Sequence, residues 1–164
     1  MHPVIALCFI ILFMSGVWGW YLWTKNPSVV DVAWPLGLMT LGLLDLTHAN
    51  FSVRTVLFSL ILCIWGIRLA GFLWWTRIRL HQHDKRYTEL KATWCQSADL
   101  AFLLNYQLQG LFILIISLPW YFIAYGQQFS WFEGLAFCFA LAAIAAESLA
   151  DRKASCRERV SSPV

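Results

Sequence analysis

The chain has 164 residues, of which 60% are hydrophobic, 16% aromatic and 13% charged, and its mean hydropathy is +0.63. That composition leaves too little polar surface to cover a soluble globule of this length and places the chain in a bilayer. The net charge of +3 does not mark a nucleic-acid patch, because the basic residues sit beside apolar segments and read as a topology signal.

A spanning helix needs roughly 20 mostly apolar residues, and five windows meet that requirement: 3–23, 29–49, 55–76, 101–125 and 131–149. The predicted fold is therefore all-α, a polytopic membrane helix bundle. No linker, low-complexity tract or fixed-period repeat divides residues 1–151, so they read as one transmembrane domain.

The first window has no Lys or Arg before it and is longer than a signal-peptide core, so it reads as a retained helix. Its Trp18, Trp20 and Trp23 fall where amphipathic rings settle at headgroup level. The second window follows from "NPSVVDVAWPLG" and is the weakest. It carries Asp31, Pro35, Asp45 and His48 around the apolar run 36–44. The third contains Arg68 and leads into "TRIRLHQHDKRYTELK", with Arg77, Arg79, Lys85, Arg86 and Lys91. The fourth opens with Asn105, Gln107 and Gln109, and the fifth ends with Glu147 and Asp151, four residues apart and so on one helix face.

Basic residues in short loops set orientation. The basic loop 77–91 and Lys25 fall on one side, while the other side offers only Arg54. The loop is therefore expected in the cytoplasm and the N-terminus outside. Five cysteines and four histidines show no Cys-x-x-Cys pair and no metal-ligand spacing, so no metal site is expected.

Charges deep in a bilayer are costly and usually face a bundle interior. On this topology Asp31 starts the second helix on the cytoplasmic side, and Arg68 lies about 12 Å from the cytoplasmic end of the third at 1.5 Å per residue. Asn105, Gln109, Glu147 and Asp151 share that side. The expectation is a polar cup open to the cytoplasm in which Asp31 and Arg68 are able to pair. The plainer reading makes the same residues a buried ion pair and interhelical glue, with Arg68 snorkelling to the interface.

Four blocks occur in order: "NPSVVDVAWPLG", "WGIRLAGFLWWTRIR", "DKRYTELKATW" and "LLNYQLQGLFILIISLPW". Together they resemble the N-terminal part of a bacterial membrane family of unknown function allied to steroid 5-alpha-reductases. The resemblance implies a helical membrane oxidoreductase acting on CH–CH groups. Such an enzyme binds NADPH from the cytoplasmic side and reduces an activated C=C bond of a lipid or steroid-like enone.

On that reading Asp31 is the candidate catalytic residue. A neutral Asp31 polarises the substrate carbonyl as a donor, whereas an ionised Asp31 paired to Arg68 does not. Arg68, Arg77 and Arg86 are the candidates for the cofactor phosphates. Trp34, Asn105 and Gln109 are the substrate candidates, and membrane lipid is the surrounding partner. Asp84 and Tyr87 match a family block without a role of their own.

Relatives of this kind continue after a block like "ESLAD", residues 147–151, into a segment that carries much of the cofactor site. Here "RKASCRERVSSPV" follows. Residues 152–164 are thus expected to be a basic tail resembling translated adapter sequence, and the chain an N-terminal fragment that is inactive as it stands. A membrane methyltransferase of the isoprenylcysteine carboxyl methyltransferase type, using S-adenosylmethionine, is the alternative enzyme. A non-catalytic membrane protein is the alternative of another class.

Overall fold

The computed structural model describes residues 3–47, 51–79, 87, 89, 98–125 and 130–161, with the side chains of 125 and 154–161 excepted. Among these residues the long helices are, in chain order, α1 (Pro3–Thr24), α2 (Val29–Thr47), α3 (Val53–Leu73), α4 (Ala98–Tyr125) and α5 (Trp131–Ser161). α3 runs on without a break into a π-helical turn, Trp74–Arg79. Among the described residues there is no strand. All five helices are long and apolar enough to cross a membrane, as expected of an integral membrane protein of the all-α class.

The boundaries differ from the sequence windows in instructive ways. α3 begins two residues earlier because Ser52 and Thr55 form a capping box, the Ser52 side chain accepting from the Thr55 amide, which satisfies amides that a helix start leaves over. α4 begins at Ala98 because Asp99 in its first turn complements the positive end of the helix dipole. α5 starts on a similar cap, in which the Glu133 carboxylate accepts from the Ser130 amide. It runs past residue 149 to Ser161, so the first part of the basic tail is helical.

The chain divides into two units, residues 1–126 and 127–164. In the first, α2 is the central element and packs on α1, α3 and α4, while α1 also packs on α4. α2 was the weakest window by sequence, yet it is the most buried of the five. Its polar residues and helix-breaking proline are tolerable because protein rather than lipid surrounds them. The core joins Ile10, Met14 and Val17 of α1, Val29, Val30 and Leu41 of α2, and Phe102, Tyr106 and Ile113 of α4. α5 forms the second unit, and its apolar window has no buried residue.

Tight approach inside the first unit depends on small residues. A Cβ on Gly42 of α2 would collide with the Leu62 side chain of α3 and lie 3.2 Å from the Trp120 ring of α4. A Cβ on Gly66 of α3 would lie 2.9 Å from the Met39 sulfur of α2. Gly16 of α1, in contrast, has nothing within 4 Å of that position. Gly42→Val should therefore separate α2 from α3 and cost about 1–3 kcal/mol. Thermal unfolding in detergent should show a lowered Tm for Gly42→Val and an unchanged or slightly raised one for Gly16→Ala. Equal responses would mean that the α2–α3 contact does not hold the unit.

Candidate functional site

The site grows from the short connection between α1 and α2. Lys25 adopts a left-handed backbone, φ 53°, and its amide closes α1 on the Tyr21 carbonyl at 2.7 Å, a helix ending that usually takes glycine. Asn26 then folds its side chain back so that Oδ1 accepts from the Ser28 amide at 3.0 Å, the local turn that asparagine favours. Its Nδ2 donates to the Arg77 carbonyl of the π-helical turn at 3.1 Å. Asn26 and Ser28 are both buried, so one asparagine starts α2 and fastens the end of α3 beside it.

Asp31 follows in the first turn of α2. The helix dipole favours a carboxylate there. Pro35, four residues on, has no amide hydrogen and so withdraws the donor that the Asp31 carbonyl would normally receive. The polar demand of this turn is thus unusually high. The Asp31 side chain has a partner of its own: the buried phenol of Tyr87 donates to its Oδ1 at 2.7 Å. One turn before Asp31, the Pro27 carbonyl accepts from the buried Tyr106 phenol of α4 at 2.7 Å.

Aromatic rings fill the space between these bonds. Phe102 lies 4.8 Å from Tyr21, 6.1 Å from Tyr87 and 6.2 Å from Tyr106, centroid to centroid. Spacings and tilts of this kind suit the ring quadrupoles. A second polar knot closes the α1–α4 side. Asp99 takes the Trp18 indole N–H on its carbonyl at 2.8 Å, the Tyr21 phenol on Oδ1 at 2.7 Å and the Lys25 ammonium on Oδ2 at 3.4 Å. The end of the unit that holds residues 24–31, 74–79 and 98–106 is therefore a layer of phenol, carboxylate and amide groups above an apolar interior.

The expected site residues fall into three groups. Asp31, Trp34 and Arg77 belong to this layer or pack against it: Trp34 contacts the core cluster, and Arg77 is half-buried with its carbonyl held by Asn26. Arg68 lies deeper on α3 and is half-buried. Asn105 and Gln109 turn to each other, Gln109 Nε2 donating to Asn105 Oδ1 at 2.9 Å, while Gln107 bonds to Ser15 Oγ of α1 at 3.1 Å. Arg86 and Asp84 lie outside the described residues. Glu147 and Asp151 are on α5, in the second unit.

Sequence reasoning missed Asn26 as a clamp, Tyr106 and Asp99 as partners, and the function of Tyr87. The Asn-Pro-Ser start of α2 carries a cap signal for Asn26. Tyr87 had its block, "DKRY", but its partner lies 56 residues away, which no local pattern reveals.

The Tyr21–Asp99 bond gives a stability test. Tyr21→Phe should cost about 1 kcal/mol, the net worth of a neutral hydrogen bond, or somewhat more because the acceptor is a carboxylate. Asp99→Ala should cost more, since it strips the acceptor from Lys25 as well. Tm values of the two single variants and the double variant should be non-additive; strict additivity would mean that the bond contributes nothing.

Comparison with known proteins comes down to a single result. No curated protein and no solved structure matches the chain. A family model described as a protein of unknown function (DUF1295) matches residues 17–158. That range takes in every residue of the layer, from Trp18 through Asp31 and Tyr87 to Tyr106, and spans most of the chain. The protein accordingly belongs to this family, DUF1295.

Proposed function

We propose that the chain forms the membrane part of a reductase that uses NADPH, bound from the cytoplasmic side, to saturate an activated carbon–carbon double bond of a lipid-like enone. The observation that supports this reading is the buried Tyr87–Asp31 couple at 2.7 Å. It sits at one end of an apolar bundle, where a lipid substrate would arrive from the membrane and a nucleotide from water. The same end carries Lys25, Arg77 and Arg79, the cationic signature of a cytoplasmic face.

When bound, the nicotinamide supplies a hydride to the β carbon, and a proton completes the new CH–CH group at the α carbon. The part of this chain is to hold the enone and polarise its oxygen. Asp31 polarises that oxygen only in its protonated form, which has to form against the helix dipole and the bond donated by Tyr87, both of which favour the carboxylate. The Tyr87 bond draws electron density from the carboxyl and strengthens that donor. Trp34 offers a ring to an apolar skeleton, and the hydrogen-bonded Asn105–Gln109 pair is the nearby amide partner for a polar group on it.

The residues suit a dinucleotide diphosphate to this extent: Arg77 stands half-buried at the polar end, with Arg68 deeper on the same helical run. A guanidinium binds phosphate oxygens in a bidentate way. A packing role is the second reading, and a specific observation favours it. The polar groups already bond to one another across helices, as Tyr106 does to Pro27 and Asn26 to Arg77.

Three comparisons test the proposal. Titration of NADPH fluorescence with the whole reductase, of which the chain is the membrane part, should give a dissociation constant weakened about tenfold or more in Arg68→Ala, the scale of a lost charged hydrogen bond. Arg54→Ala, at the other end of α3, should leave it unchanged, and equal losses would remove the site from this end. Enone turnover by the same whole reductase should fall by roughly 10²-fold or more in Asp31→Asn, as for loss of a general acid, and far less in Asp45→Asn. The reverse order would put the site on the other face. Finally, the double substitution Asp31→Asn with Arg68→Met should abolish NADPH binding; intact binding with a lowered Tm alone would establish the packing role.

A further inference from the structure

Gln107 is a polar residue of α4 that lies outside the polar layer and the candidate site. Its Nε2 reaches across to α1, where it donates to Ser15 Oγ at 3.1 Å and to the Ile11 carbonyl at 3.4 Å. The second of these bonds is long and dispensable, because the Ile11 carbonyl already accepts from Ser15 Oγ at 2.7 Å. Among the described residues nothing bonds to Gln107 Oε1, and the side chain is only half-buried. The surface beside it is apolar. Leu104 and Leu111, one turn to either side, are 64% and 49% exposed, and Ile11 of α1 is 45% exposed.

Depth gives the open carbonyl its meaning. The membrane-spanning stretch Ala98–Ala124 is 27 residues, about 40 Å at 1.5 Å per residue, against about 30 Å of hydrocarbon. Shared equally, the excess leaves about 5 Å beyond each boundary. Gln107, nine residues from Ala98, then lies about 8 Å inside the hydrocarbon. Ser15 is likewise nine residues from the end of α1 at Thr24, so the bond between them holds the amide at this depth and keeps it from bending toward the headgroups. Lipid satisfies an exposed leucine but not an amide carbonyl: acyl chains donate no hydrogen bond, and an acceptor left open among them is costly. Headgroup donors lie nearer the boundary. The donor therefore has to come from another transmembrane helix.

We propose that the outer α1–α4 face docks a second copy of this chain, with the Gln107 side chains of the two copies paired amide to amide on a two-fold axis. Each Nε2 gives up the Ile11 carbonyl and donates to the Oε1 of the other copy. A second copy is the partner that this chemistry selects. A primary amide complements itself, since it holds both donor and acceptor, and copies inserted with one topology bring Gln107 to the same depth without further adjustment. Such a contact is isologous, about an axis along the membrane normal. No charge opposes it: α1 has no charged residue, and α4 has only Asp99, which is bonded to Tyr21 and Lys25 at the polar end. The surface is independent of the reductase reading.

The test is energy transfer between full chains carrying a donor or an acceptor dye at the amino terminus, in phosphatidylcholine liposomes over a range of protein-to-lipid ratios. Wild type should show transfer that rises with the ratio and falls when lipid is added; transfer absent throughout would overturn the proposal. Gln107→Leu should weaken association about tenfold, the scale of two interhelical hydrogen bonds in a membrane. Asn105→Leu, two positions away and so on roughly the opposite side of α4, should leave it unchanged, and an equal loss there would remove the contact from this face. Ser15→Ala takes away the intrachain bond but keeps the amide, so it should associate as well as wild type. A loss in Ser15→Ala as large as that in Gln107→Leu would make the effect one of packing within a copy and overturn the amide pair. Mixing the two forms gives a further check. The paired bonds are reciprocal, so a wild-type copy facing a Gln107→Leu copy keeps neither and should associate as weakly as two variant copies. An intermediate affinity would mean that each Gln107 bonds to a different residue of the other copy, and the pairing would be overturned.

Discussion

Inside a bilayer there is no water to take up a polar group that the protein leaves over, and most of the arrangement described above follows from that constraint. The connection between α1 and α2 has to end one helix and begin another within four residues, close to the membrane boundary. Several of the groups left over there are met in turn. The Lys25 amide returns to Tyr21, the Ser28 amide meets Asn26, and the Pro27 carbonyl meets Tyr106. Asp31 meets Tyr87. These bonds draw α2, α3 and α4 together at the same end, so the polar layer results from starting α2 correctly as much as from any chemistry to be done there.

That outcome explains why the least hydrophobic helix is central. Pro35, Asp31 and Asp45 would be expensive facing lipid, and the glycines that flank them, Gly37 and Gly42, would waste packing surface there. Placed in the middle, the same residues become useful. Gly42 lets α3 and α4 close on α2, and Asp45 is buried at the far end of the helix. α1 and α4 carry long apolar stretches, and most of their exposed Leu, Ile and Phe side chains are ordinary lipid-facing surface.

Much of this was legible in the sequence, though unevenly. Helix number and approximate spans follow from apolar length alone, and the aromatic residues near the ends support them. Convergence of Asp31 and Arg77 at one end was legible too, because antiparallel connectivity puts the start of α2 beside the end of α3. The partners were not. A hydrogen bond between residues 56 or 79 positions apart depends on helix rotation, and a helix that is apolar nearly all round carries little periodic signal to fix its rotation. For the same reason the bond between Asn105 and Gln109, a choice open to any i, i+4 amide pair, was not foreseen. The π-helical turn was also invisible: nothing in "WWTRIR" distinguishes it from ordinary helix, and it is the Asn26 clamp on Arg77 that shows where it matters.

The Tyr87–Asp31 couple is where the structural and chemical readings become hardest to separate, and the difficulty is physical. A buried donor and acceptor stabilise the fold only as a pair, so removing either side leaves the other uncompensated and destabilises the protein whatever the function of the pair. A fall in stability on mutation is therefore common to a catalytic acid and to an interhelical tie. What separates the two is differential binding. A tie has the same worth with and without substrate, whereas a catalytic donor gains strength as negative charge develops on the substrate oxygen. Rates and nucleotide affinities, rather than melting temperatures, are the quantities that register this difference, because only they compare two states in which the fold is already present.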